Sequence, residues 1–319
     1  MRSPENQSGL RFCVCNIFCN FAAMGTAIVG RFAPSPSGRM HLGNVMCALL
    51  SWLDVKSMGG EWRLRIEDID VQRCRREYAM RLMDDLTWLG LEWDGDVVWQ
   101  SERGDIYKQC LDQLTGMGLT YHCNCSRNDL MAASAPHEAD GRRVYPGTCR
   151  GKGLSEGAVR IRVPVSLEKI CGDFIVQRRD GAWAYQLAVV VDDALMGITR
   201  VVRGRDLETS VPQQGFLYDM LGFGKPVFVH HPLLCNAEGL RLCKRDKSMD
   251  MGVLREMCRA EEIIGFLAFR TGLIPEEMPM AADDLLSVFS WDRITKEDIR
   301  IRQDFPPGAA GLSSGNPSS

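Results

Sequence analysis

Neither charge sign dominates this sequence of 319 residues: 38 Lys and Arg stand against 41 Asp and Glu, a formal charge of −3. A chain so balanced is not a general coat for a polyanion, although local basic patches still permit contact with nucleic acid. Basic residues do gather, as Arg73, Arg75 and Arg76, as Arg142, Arg143, Arg150 and Lys152, and as Arg241, Lys244, Arg245 and Lys247. Taken singly, each group reads as a solvated face. No internal repeat is visible, which excludes a solenoid or propeller. A disulfide framework is missing too, because thirteen cysteines is an odd number and a chain this long can bury its own core. Cys47, Cys110, Cys171 and Cys258 sit in apolar segments, as small buried hydrophobes do in a reducing cytosol. The one long run nearly free of charge, Phe12 to Gly30 behind Arg2 and Arg11, has the look of a signal-peptide core or marginal membrane span. The first core strand is expected from Ile28, so this run leads into the fold, and Met24 is a natural start. Residues 1–23 are read as a non-functional extension or start-site artefact, with targeting or anchoring as the alternative, and no membrane partner is expected of the protein.

What remains is ordinary for a globular protein, 45% hydrophobic and 25% charged. Ile28 to Phe32 reads as a buried strand, and Pro34, Ser35, Pro36, Ser37 and Gly38 break it into a tight loop. His41-Leu42-Gly43-Asn44 then opens a helix with Val45, Leu49, Trp52 and Leu53 at apolar positions. Glu61 to Ile66 alternates, with Trp62, Leu64 and Ile66 on one face, and ends in Glu67-Asp68. A helix carrying Tyr78, Leu82, Met83, Leu86 and Leu89 stops at Gly90, and another over Ile106, Cys110, Leu111 and Leu114 closes at Gly116 or Gly118. Strands alternating with helices predict an α/β fold with a parallel, doubly wound sheet. Residues 119–158 interrupt the pattern. Strand-like sequence resumes at Ala158 to Val165 and Phe174 to Val176, while Ala184 to Val191 fits either a central strand or a buried helix. Asp206 to Leu221 is expected as a helix, Val227 to His230 as a strand, and Val253 to Leu273 as a helical region. The expected segments are 1–27 (extension), 28–118 (first half of the sheet domain), 119–165 (insertion), 166–235 (second half), 236–302 (basic loop and helices) and 303–319 (a disordered tail rich in Pro, Gly and Ser).

Two features carry chemistry on their own. The strand, small-residue turn and helix start from Arg31 to Asn44 make a phosphate site, since unpaired backbone N–H groups and the positive helix end face the loop. In the insertion, Cys123 and Cys125 are followed by Tyr145 and Cys149. Paired cysteines on a short turn supply zinc with soft ligands, and a tetrahedral site needs a fourth, for which Tyr145, His122 and His137 are the candidates.

The stretch RFAPSPSGRMHLGN resembles the HIGH motif of class I aminoacyl-tRNA synthetases in its glutamyl and glutaminyl form. From about Ile28 to Arg255 the sequence is similar to the glutamyl-queuosine tRNA(Asp) synthetase family, a truncated paralogue of glutamyl-tRNA synthetase. The stretches that carry the likeness are GRFAPSPSG, LRIEDID, WDGDVVWQSERGD, CNCSR with YPGTC, and FIVQRRDGAWAYQLAVVVDDALMGITRVVRGRDL. The resemblance implies a class I Rossmann-like catalytic domain with a zinc-binding insertion, a short C-terminal helical region and no anticodon-binding domain. Consistent with that, too little chain follows Lys244 for a whole further anticodon-reading domain. It implies a ligase that activates glutamate with ATP, with magnesium, and places it on queuosine in the anticodon loop of tRNA(Asp). A cytoplasmic, monomeric enzyme is expected. The implied glutamate residues are Arg31, Phe32, Ala33, Pro34, Ser35, Glu67, Tyr185 and Arg203. An amino acid with two carboxylates needs guanidinium forks, which Arg31 and Arg203 offer, and an anion for its ammonium, which Glu67 offers. His41, Gly43, Asn44 and Lys244 are the implied ATP residues, with His41 and Lys244 catalytic, and Cys123, Cys125, Tyr145 and Cys149 the implied zinc ligands. Asn44 replaces the second histidine of the motif. Arg241-Leu242-Cys243-Lys244-Arg245 stands where the KMSKS loop belongs, departing from it at Arg241, Cys243 and Arg245, and Lys247-Ser248 offers a second register. Asp192 and Asp193 are considered as a base for the transfer step, against a structural role. The rival readings are a minimal glutamyl-tRNA synthetase that charges the tRNA 3′ end, an RNA-binding paralogue with a dead site and, more distantly, a small-molecule nucleotidyltransferase.

Overall fold

The computed structural model describes residues 27–126, 128–129, 144–242 and 249–301. In chain order the elements are β1 (Val29–Phe32), α1 (Leu42–Lys56), β2 (Glu61–Ile66), α2 (Arg76–Trp88), β3 (Val98–Trp99), α3 (Gly104–Gly116), β4 (Thr120–Cys123), β5 (Ala158–Ile161), α4 (Val165–Glu168), β6 (Phe174–Gln177), α5 (Tyr185–Leu195), β7 (Arg200–Gly204), α6 (Val211–Leu221), β8 (Val227–His231), β9 (Leu234–Cys235), α7 (Met251–Met257), α8 (Ala260–Arg270) and β10 (Ile299–Arg300).

β1, β2 and β3 pair in parallel, as do β7 and β8. The two ladders meet at Thr199, whose N–H donates to Val29 O at 2.8 Å while its hydroxyl accepts from Val29 N–H at 2.9 Å. Crossover helices cover the faces, so β1 and the C-terminal half of β2 are buried on both sides. β1 shows it: a Cβ on Gly30 would sit 2.3 Å from Val55 Cγ2 of α1, so only glycine lets helix and strand approach this closely. α1 is buried almost all round, and Asp54 on it fixes the halves together. It accepts Arg200 Nε and Nη2, both at 2.7 Å, and Trp291 Nε1 at 2.7 Å. Phe32 stacks on Trp62 with ring centroids 6.1 Å apart, inside a core that α1 and α2 share with α7 and α8. A second core lies between α3, α5, α6, β5 and β6.

Ala184 to Val191, open between strand and helix in the sequence, is the body of α5, with Leu187 to Ala194 buried. The expected helix from Asp206 begins as a 3₁₀ turn over Arg205–Ser210 and turns α-helical at Val211, where Pro212 in the first turn suits an N-terminus. The C-terminal helical region is two helices, broken at Cys258. β4, β5 and β6 form a separate antiparallel sheet, so the inserted sheet reaches Gln177, past the boundary expected at residue 165. Lys244, Cys243, Arg245, Lys247, His137, Arg142, Arg143 and the extension and tail at 1–23 and 303–319 lie outside the described residues.

Candidate active site

The carboxyl ends of β1, β2, β7 and β8 open on one cleft of about 450 Å³. This is where an open α/β sheet binds ligands, at the point where its strand order reverses. Arg31 to Ser35, His41, Gly43, Asn44, Glu67, Tyr185 and Arg203 all line it, so every described residue assigned to glutamate or ATP from the sequence faces a single space.

One end of the cleft is built by the start of α1. His41 is its N-cap, and the ring Nδ1 accepts the Gly43 N–H at 3.1 Å. A neutral imidazole that accepts at Nδ1 carries its proton on Nε2. Asn44 Oδ1 accepts the His41 N–H at 3.1 Å, closing a reciprocal capping box. The asparagine in the second histidine position therefore has a defined task, which is to fix the loop that presents His41. A Cβ on Gly43 would lie 3.0 Å from the His41 ring, so glycine leaves room for the capping imidazole. The chain on both sides of residues 243–248 returns to this spot. Arg241 and Leu242 line the cleft, Arg241 pairs with Asp206, and Met251 N–H donates to Met40 O at 2.8 Å beside a His41–Asp250 bridge.

The other end is an ionic lattice. Arg31 Nε donates to Asp193 Oδ1 at 3.0 Å and its Nη2 to Oδ2 at 3.4 Å, leaving N–H groups of the fork over. Arg65 is fully buried and donates to Asp193 at 2.6 Å and to Glu67 at 3.1 Å. Burial pushes the Glu67 carboxyl up from its ordinary value, with Arg65 and Arg31 opposing. Asp193 feels the same burial, but Arg31 and Arg65 bring it below the usual carboxylate range. Asp192 accepts Gln100 at 2.6 Å, Arg103 at 2.6 Å and Tyr107 at 2.8 Å. Both aspartates are thus consumed in holding arginines and the α3 start, and neither lines the cleft; a base role for the transfer step gives way to a structural one.

Arg203 is different. Its Nη1 donates to Gln214 Oε1 at 2.8 Å and its Nε to His230 Nε2 at 3.2 Å, and Gln214 is itself held by Gln186 at 2.9 Å. Its Nη2 is buried without a hydrogen-bond partner. Burial lowers the pKa of this guanidinium and of His230, whose neutral ring can accept from it. Cys47 also lines the cleft, but burial raises its thiol to about 11, so it is no nucleophile at neutral pH.

Away from the cleft, the sulfurs of Cys123, Cys125 and Cys149 lie within 4.8 Å of one another, Cys125 and Cys149 at 3.5 Å. The Tyr145 hydroxyl is 3.4 Å from Cys123 Sγ and 3.8 Å from Cys125 Sγ. Zn–S bonds of about 2.3 Å at tetrahedral angles separate sulfurs by roughly 3.8 Å, so these four atoms fit one ion. His122 follows the opposite face of β4 from its neighbour Cys123 and is outside this group. Burial raises the Cys123 thiol, but hydrogen bonds from Tyr145 and Arg160 bring it down to about 7, towards the thiolate that a metal takes. Arg160 also lies over the Tyr145 ring at 3.7 Å.

A family model described as tRNA synthetases class I (E and Q), catalytic domain, matches residues 27–155 and 155–282. The chain belongs to this family. A glutamyl-Q tRNA(Asp) synthetase of Symbiobacterium thermophilum is 42% identical over 309 residues, covering 86% of this chain and 96% of that protein. One of Bordetella bronchiseptica is 46% identical over 240 residues, covering 68% and 75%. Among solved structures, a glutamate tRNA ligase of Elizabethkingia meningosepticum in complex with its amino acid superimposes with a TM-score of 0.70 at 27% identity. That likeness covers 86% of this chain and 66% of the ligase.

In this synthetase the sequence reading missed Arg65, Asp193 as the partner of Arg31, and the Gln214–Arg203–His230 contacts. Alternation along β2 set Arg65 on the side away from Trp62 and Leu64, as if towards solvent. The signal available was the parallel sheet itself, in which a central strand has no solvent face.

Proposed function

We propose that the protein activates glutamate with ATP, without tRNA, and then transfers the glutamyl group to the queuosine base in the anticodon loop of tRNA(Asp). The supporting comparison is with relatives of that name, aligned over most of both chains. The observation in the site that carries the reading is the buried Arg203 Nη2, a guanidinium nitrogen without a partner in a cleft that also holds Glu67. A buried cation left unpaired costs stability unless an anionic ligand completes it.

The α-carboxylate of glutamate attacks the α-phosphorus of ATP in line, giving glutamyl-adenylate and pyrophosphate. Arg203 and the remaining N–H groups of Arg31 take the carboxylates, and Glu67 takes the ammonium. The loop Phe32 to Ser35 and Tyr185 close around the amino acid. At the other end the α1 N-terminus, with Gly43 and Asn44, and the His41 Nε2–H meet phosphate oxygens as charge builds on them, and Lys244 neutralises the departing pyrophosphate. ATP enters as its magnesium complex. A hydroxyl of the queuosine ring then attacks the mixed anhydride and releases AMP. Cys123, Cys125, Tyr145 and Cys149 would hold a structural zinc, joining the end of β4 to the turn that precedes β5. The enzyme works in the cytoplasm, where its tRNA is.

The test is glutamate-dependent ATP–pyrophosphate exchange with and without tRNA, alongside incorporation of labelled glutamate into tRNA(Asp) with and without queuosine. Exchange without tRNA, and label only in queuosine-bearing tRNA, is the expected result. Exchange only with tRNA, and label lost on removing the 3′ adenosine, would establish the charging enzyme instead. No exchange under any condition would mean a dead site.

A further inference from the structure

We propose that Arg65 is the positioning residue of the amino-acid site, one guanidinium that holds at once the carboxylate receiving the substrate ammonium and the carboxylate orienting the Arg31 fork. The inference rests on the glutamate reading above. Its basis is the bifurcated geometry: Nη2 reaches Glu67 at 3.1 Å and Nη1 reaches Asp193 at 2.6 Å, while Asp193 in turn accepts Arg31 at 3.0 Å. Arg65 does not line the cleft and touches no substrate position. It lies beneath the site, with no exposed surface, and Nε is 3.8 Å from Asp192 without a hydrogen bond.

A planar fork is required for this. Glu67 and Asp193 come from different segments, the position just after β2 and the last turn of α5, and only a group with two diverging donors spans both at fixed angles. A lysine at 65 offers one point charge and satisfies one carboxylate at a time. Without the bridge the ammonium acceptor and the carboxylate fork move independently. Glu67, faced by Arg31, Asp193 and Tyr185 as well, then loses the cation that does most to keep it ionised against burial.

The closing experiment compares the full-length wild type with Arg65→Lys, using isothermal titration of glutamate and of glutarate, which lacks the ammonium, together with the KM for glutamate and for ATP in pyrophosphate exchange. Wild-type protein without glutamate-dependent exchange would sink the glutamate reading before any variant is compared. Given exchange, R65K should raise the glutamate KM roughly ten- to a hundredfold, the effect of losing a hydrogen bond to a charged group, with the ATP KM within about twofold. Its preference for glutamate over glutarate should shrink by a similar factor. Its acid limb in kcat/KM for glutamate should also lie at higher pH. A merely structural arginine would weaken glutamate, glutarate and ATP together and leave the pH limb in place, and that pattern overturns the proposal. If R65K does not fold, Asp193→Asn cuts the other arm of the bridge with almost no change of shape. It should raise the glutamate KM and spare that for ATP, and an unchanged glutamate KM there equally refutes the idea.

Discussion

Replacing Tyr145 by phenylalanine removes one oxygen and leaves the ring, with Arg160 still 3.7 Å above it. That oxygen has three neighbours: Cys123 Sγ at 3.4 Å, Cys125 Sγ at 3.8 Å and the Cys149 N–H, which donates to it at 2.9 Å. Were it the fourth ligand of the proposed structural zinc, its loss should exceed the effect of an outer-shell partner, which is about 10–100-fold in affinity. A hundredfold weaker site, at zinc concentrations well above both dissociation constants, removes about 2.7 kcal/mol of ligand-linked stability. Losing the hydrogen bond from the Cys149 amide adds roughly 1 kcal/mol. The assay is competitive zinc transfer to a chromogenic chelator, with thermal unfolding in zinc-replete buffer. Tyr145→Phe should release zinc at least a hundredfold more readily and melt several degrees lower, while exchange without tRNA is retained, because no residue of this cluster lines the cleft. Wild-type zinc affinity in Y145F would refute the tyrosine as ligand, and His122→Ala with His137→Ala would then identify the true fourth donor.

Three further outcomes follow from the same structure. Asp54→Asn leaves Arg200 and Trp291 without their shared carboxylate and should cost roughly 2–3 kcal/mol, less than breaking a fully buried pair because Arg200 keeps some water; chemical denaturation reads it, with an unchanged glutamate KM. Gly43→Ala crowds the capping His41 ring, which must shift by a few tenths of an ångström, so the ATP KM should rise, whereas equal ATP KM values would show that the ring does not meet the nucleotide. Burial raises the Glu67 carboxyl above its ordinary 4.5, although Arg65 and Arg31 pull the other way. Its ionised form, the one that binds an ammonium, is therefore lost as pH falls through a value above 4.5. The acid limb of kcat/KM for glutamate should lie above 4.5, and Glu67→Gln should flatten that limb while raising the glutamate KM.

Local order was legible and long-range pairing was not. The strand–loop–helix from Ile28, the stop at Gly90 and the Cys-x-Cys turn rest on residues within a few positions of each other, where turn chemistry and periodicity act. The Arg31–Asp193 pair joins residues 162 apart, and Arg65–Asp193 spans 128. Nothing in a single sequence marks which buried arginine meets which aspartate. The apolar run Ala184 to Val191 is read correctly only once its flanks are placed, since a fully buried helix shows no face. β6 failed differently: its four residues alternate like any strand, and only pairing with β5 assigns it to the inserted sheet. Asn44 stood out only as a departure from the motif, because the motif describes ligand contacts. Its capping bond to the His41 amide is backbone chemistry, which a pattern of side chains does not encode.

The arrangement also bears on why glutamate rather than glutamine fits. Among the described residues of the amino-acid end, Arg31, Arg65 and Arg103 are matched by Asp192, Asp193 and Glu67. Other charges around the cleft pair off as Asp206 with Arg241 and Arg39 with Asp85. Arg203 is the cation left over, held by two neutral partners, Gln214 and His230, and by the face of Phe228 at 4.8 Å. Among the described residues of the site this leaves one guanidinium, Arg203, in excess of the anions that pair there. Glutamate brings two carboxylates and one ammonium, a net charge of −1, and neutralises that excess. Glutamine has no net charge and would leave Arg203 desolvated beside an amide, a worse exchange in a low-dielectric pocket than two full charges made adjacent. Discrimination on this account does not depend on a clash with the amide. It comes from the electrostatic cost already present in the empty site, which one of the two amino acids relieves.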